Sequence, residues 1–83
     1  MAWNAFRVSV AIAAPPSAAV EMLLVALREL ARLQRSDPQR SGRLRLELSR
    51  SRRRWRLGGV TDDQFAAAVT DIVLAARGLI TAG

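Results

Sequence analysis

The side chains able to do chemistry in this sequence are Arg, Asp, Glu, Ser and Thr; His, Cys, Tyr and Lys are absent. Their absence excludes zinc and haem sites built on His or Cys, disulfides, Ser-His and Cys-His dyads, and Schiff-base chemistry. Glu47 serves as a general acid or base only if a second carboxylate converges on it. Asp62, Asp63 and Asp71 are the nearest approach to a hard-cation set, but Asp62 and Asp63 follow Thr61 at a helix start. Capping and dipole complementarity account for them there. Gly58-Gly59 lacks the further glycine and the lysine of a phosphate loop. These residues give no catalytic group, no metal site and no cofactor, so a non-enzymatic protein is expected.

Arginine is the remaining candidate. The 83 residues carry thirteen arginines against seven acids, a net charge of +6. Eight of the arginines (Arg40, Arg43, Arg45, Arg50, Arg52, Arg53, Arg54, Arg56) fall between residues 40 and 56 with the single acid Glu47. That stretch is +7, while the other five arginines and six acids sum to −1. The chain is therefore a nearly neutral body bearing one basic element. Arginine without lysine, beside fifteen alanines, also reads as a GC-rich coding background.

The elements that must position these arginines follow from periodicity. Phe6, Val8, Val10 and Ile12 alternate with Ala5, Arg7, Ser9 and Ala11, the period of a half-buried strand. The apolar run there is short and closed by Pro15-Pro16, so a strand is expected in place of a cleaved leader. No run approaches the roughly 18–20 apolar residues of a membrane span, and a cytoplasmic protein is expected. A helix is predicted over residues 17–35, with Val20, Leu23, Leu24, Leu27, Leu30 and Ala31 as its apolar stripe. Glu21, Arg28, Arg32 and Arg35 lie opposite. Met22, Ala26 and Leu33 widen the stripe beyond what one neighbour needs. Asp37-Pro38 ends the helix.

Leu44, Leu46 and Leu48 then alternate with charged residues, and the parity flips at Trp55 and Leu57. Such a flip predicts a β-hairpin turning at Arg50-Ser51-Arg52-Arg53. In its register Leu48 faces Trp55, Leu46 faces Leu57 and Glu47 faces Arg56. Thr61-Asp62-Asp63-Gln64 is a capping box opening a last helix. Phe65, Val69, Ile72, Val73 and Ala76 are its buried stripe, and Gly78 is its left-handed cap.

Strand, helix, strand, strand, helix predicts a single α+β domain over residues 1–83. The arrangement is a split βαβ fold, ferredoxin-like without its last strand, with both helices on one face of a three-stranded sheet. In that architecture Phe6, Arg7, Val8, Ser9, Val10, Ala11 and Ile12 form an unprotected edge strand, suited to pairing two copies into a homodimer. The open sheet face would display Arg7, Arg43, Arg45, Arg54 and Arg56, with Arg50, Arg52 and Arg53 at the hairpin tip. The expected function is a non-enzymatic protein-interaction or assembly module presenting this hairpin to a protein partner, for which the charge would suit an acidic surface. The alternative is a nucleic-acid-binding domain using the same residues.

Overall fold

The computed structural model describes residues 17–81. Three helices follow one another: α1 (Ala18–Ser36), α2 (Pro38–Arg56) and α3 (Asp62–Ala76). They form an all-α three-helix bundle in which α1 packs most extensively on α3 and α2 closes against both.

The helix ends are fixed locally. Ser17 caps α1, its Oγ accepting from the Val20 N–H at 3.2 Å. Asp37 serves two helices. Its N–H donates to the Leu33 carbonyl at the end of α1, and its Oδ1 accepts from the Arg40 N–H at the start of α2. Pro38 occupies the first turn of α2, where its missing N–H costs nothing. The corner between α1 and α2 is thus one residue long.

The two later ends share one motif. At Gly58, φ is +77°, its N–H donates to the Trp55 carbonyl and the Gly59 N–H donates to Arg54. At Gly78, φ is +77°, its N–H donates to Ala75 and the Leu79 N–H donates to Leu74. Both are Schellman caps, and both use glycine where an L side chain would be strained. Between them the capping box of Thr61 and Gln64 is complete, with reciprocal bonds of 3.1 and 2.9 Å.

The core is built from Ala19, Ala26, Leu30 and Leu33 of α1, Leu44 and Leu48 of α2, and Phe65, Val69, Ile72, Val73 and Ala75 of α3. Ser41 is fully buried, and its hydroxyl donates to the Leu30 carbonyl across the α1–α2 crossing at 3.0 Å. A small polar residue at this point lets the two backbones approach while its hydroxyl stays satisfied. Trp55 closes the other end of α2. Its ring stacks on Phe65 with centroids 4.3 Å apart and planes 5° from parallel, and its indole N–H donates to Asp62 at 2.8 Å.

This architecture corrects the α+β expectation. The described residues contain no strand, so neither the ferredoxin-like sheet nor the hairpin exists. Residues 40–57 are helical or cap a helix, because Ser41, Leu44, Leu48 and Trp55 recur at the helical period and turn inward together. Leu46, expected inward with Leu44 and Leu48, is half-exposed, and Leu57 is 76% exposed. The parity flip is what a 3.6-residue period leaves when it is sampled two residues at a time. Gly58-Gly59 is a helix cap and not the release of a strand. The proposed edge strand (Phe6, Arg7, Val8, Ser9, Val10, Ala11, Ile12) lies outside the described residues. With no sheet among the described elements, the homodimer through that edge loses its structural basis.

Candidate functional site

Eight arginines lie along α2, and the helix sorts them. Successive residues turn by about 100°, so Arg43, Arg50 and Arg54 fall on one flank and Arg45, Arg52 and Arg56 on the other. The two triplets have the same spacing, seven and then four residues, offset by two positions. Their mean directions stand about 160° apart across the solvent side, and Arg53 lies midway between them. Gly42, Leu46 and Ser49 share that outward crest. Along the axis each triplet spans about 16 Å at 1.5 Å per residue.

All seven of these arginines are exposed, and none has an ion-pair partner among the described residues. Arg45 is steadied by a 3.3 Å bond from its Nε to Ser41 Oγ. The eighth, Arg40, is half-buried and structural: its guanidinium donates to the Ala75 carbonyl in the last turn of α3. Elsewhere Arg77 binds Glu29 through two nitrogens, at 2.9 and 3.1 Å, tying α3 to α1. Arg32 approaches the same carboxylate at 4.0 Å. Arginine therefore has two roles, pinning helices at Arg40 and Arg77 and facing solvent in bulk along α2.

No carboxylate among the described residues forms an ion pair with an arginine of α2. Asp37 caps α2, and Asp62 bonds the Trp55 indole at the start of α3. Glu47 lies on the Arg43–Arg50 flank, at the mouth of a groove of about 600 Å³ floored by Leu44 and Ala75. No three His, Cys, Asp or Glu side chains converge among the described residues. Likewise, no described helix is long and apolar enough to cross a membrane.

The helix redistributes the residues singled out in the sequence. Arg43, Arg45, Arg54 and Arg56, expected on one sheet face, divide between two flanks. Arg50, Arg52 and Arg53, expected at a turn, are in mid-helix and the last turns. Glu47 and Arg56 cannot pair, because nine residues of helix place them on opposite sides. Arg7 lies outside the described residues. Sequence reasoning missed the tether at Arg40, and it had no signal for it, since only the packing of α2 on α3 brings Arg40 to Ala75. Protein-family models, curated proteins and solved structures yielded no match to this chain.

Proposed function

We propose that this is a small non-enzymatic, cytoplasmic nucleic-acid-binding module whose α2 lies in the major groove of duplex DNA. The observation that carries the reading is the pair of exposed arginine triplets, free of ion pairs among the described residues, that flank a narrow crest. An α-helix with its side chains is about 10–12 Å across, and the B-form major groove is about 12 Å wide. A helix seated there would direct one triplet at each phosphate backbone and bring Arg53 toward the base edges. Guanine O6 and N7 accept arginine bidentately at such positions.

Single-stranded ligands fit less well. They are usually held by stacking on exposed rings. Among the described residues the two aromatic rings, Trp55 and Phe65, stack on each other, and Trp55 also bonds Asp62. Duplex RNA has a major groove too deep and narrow to admit the helix.

The test is a fluorescence anisotropy titration with a mixed-sequence DNA duplex at 50 and 200 mM salt. Six flank arginines each neutralising a phosphate give a log–log salt slope of about −5, a loss of about 10³ in affinity over that range. No binding at 50 mM salt, or binding that ignores salt, would refute the reading. Tighter binding to polyglutamate than to the duplex would replace it with an acidic protein partner.

A further inference from the structure

One surface has no part in the arginine helix. On α1 the side chains of Val20, Leu24 and Leu27 are 38%, 51% and 41% exposed, and Ala31 is exposed beside them. Their spacing of four, three and four residues makes a straight seam along the helix, the a/d pattern of a two-helix contact. The seam is separate from the core-facing side, where Ala19, Ala26, Leu30 and Leu33 are buried. Isolated exposed leucines are ordinary; a continuous seam of them marks a contact surface.

The charges beside the seam select the occupant. Glu21 and Arg28 occupy equivalent positions one heptad apart on its polar margin, and neither has an ion-pair partner among the described residues. We propose that the seam is the interface of a two-fold dimer in which α1 packs antiparallel on the α1 of a second copy. With Leu24 opposite the partner's Leu27 and Val20 opposite the partner's Ala31, Glu21 comes beside the partner's Arg28. The symmetry makes this pair twice. A parallel arrangement places Glu21 level with the partner's Glu21 and leaves Arg28 without an acid. The sequence on this margin is therefore self-complementary in the antiparallel sense alone. The dimer does not depend on nucleic-acid binding and is tested without a ligand.

The experiment is sedimentation equilibrium of the full chain at low salt. Three large side chains per copy make a small interface, so self-association is expected between about 20 and 500 µM. The mass should rise with concentration from 9.1 kDa toward twice that value. Glu21→Arg removes both ion pairs and sets like charges together, weakening the dimer about tenfold. The double variant Glu21→Arg/Arg28→Glu restores the pairs in reverse and should recover affinity to within about threefold. Both residues are exposed, so the variants should keep the parent far-UV circular dichroism. A 9.1 kDa mass at every concentration would overturn the proposal, as would result if the chain's own residues 1–16 cover the seam. A dimer indifferent to Glu21→Arg, or one the double variant fails to restore, would overturn it too.

Discussion

The stacked pair of Trp55 and Phe65 joins the last turn of α2 to the first turn of α3, and its contribution can be isolated. Phe65 is 1% exposed and is the largest fully buried side chain among the described residues. A bundle of this size has a total stability of about 3–10 kcal/mol, at 0.05–0.15 kcal/mol per residue. Phe65→Ala would remove about 3–5 kcal/mol, about half or more of the middle of that range, and leave too little for a double-variant cycle. Leucine is the better replacement because it keeps the site apolar and deletes only the ring. Phe65→Leu should cost about 1–2 kcal/mol, and Trp55→Leu a similar amount, since it also releases the bond to Asp62. Rings 4.3 Å apart and nearly parallel should be coupled by about 0.5–1.5 kcal/mol beyond area burial. The double variant should therefore be less destabilised than the sum of the singles by about 1 kcal/mol. Urea titration followed by helical circular dichroism, with m unchanged across the set, gives the four free energies. Additivity within about 0.3 kcal/mol would mean that the rings do not touch, and the α2–α3 corner described above would be wrong.

Gly42 and Gly58 should respond to alanine with opposite signs. Gly42 sits inside α2 with open space around its Cα, so Gly42→Ala should stabilise by about 0.5–1 kcal/mol. Gly58→Ala forces an L residue to φ near +77° and should destabilise by about 1 kcal/mol or more, both readable from urea midpoints. Thr61→Ala removes the acceptor for the Gln64 N–H and should cost about 1 kcal/mol by the same assay. Replacing Arg43, Arg50 and Arg54 by Gln should lower the magnitude of the DNA salt slope by about 2.7. Replacing Arg45, Arg52 and Arg56 should do the same, and unequal effects would count against two-sided seating in the groove. Raising salt from 20 to 500 mM should increase the melting temperature of the free protein, because screening relieves the repulsion along α2.

Capping chemistry was the most legible part of the sequence. The Thr61–Gln64 box and the Gly78 cap are local signals, readable from three or four neighbouring residues, whereas Ser17, expected as the first residue of the helix, is its cap. The buried stripe of α3 followed at Phe65, Val69, Ile72 and Val73, while Ala76, expected in it, is half-buried and Ala75 is buried instead. The central third of the chain was misread because Leu44, Leu46 and Leu48 satisfy a two-residue period, and a short apolar run can be assigned to either period. Two signals favoured the helix. Between Pro38 and Leu57 there is no Val, Ile or Thr, while Arg, Leu and Glu are strong helix formers. Asp37-Pro38 also begins a helix as naturally as it ends one. The run of arginines is plain in the sequence, but the surface each one occupies depended wholly on the period chosen, and the sheet face and hairpin tip expected for them are two flanks of a helix.

That grouping also bears on why the charge is there. A GC-rich coding background would account for arginine in place of lysine, but not for the concentration of eight of thirteen within seventeen residues. On a helix this clustering is unfavourable. Arg40–Arg43, Arg50–Arg53, Arg50–Arg54, Arg52–Arg56 and Arg53–Arg56 are like-charge pairs at three- or four-residue spacing, each costing about 0.2–0.5 kcal/mol. Glu47 offsets this only beside Arg43 and Arg50. The negative end of the helix dipole helps Arg53, Arg54 and Arg56 in the last turn. The core needs none of this, since Ser41, Leu44, Leu48 and Trp55 hold α2 in place from the other side. A polyanion laid along α2 would turn the same repulsive pairs into paired charges. The feature that weakens the free helix is thus the one that would strengthen the complex.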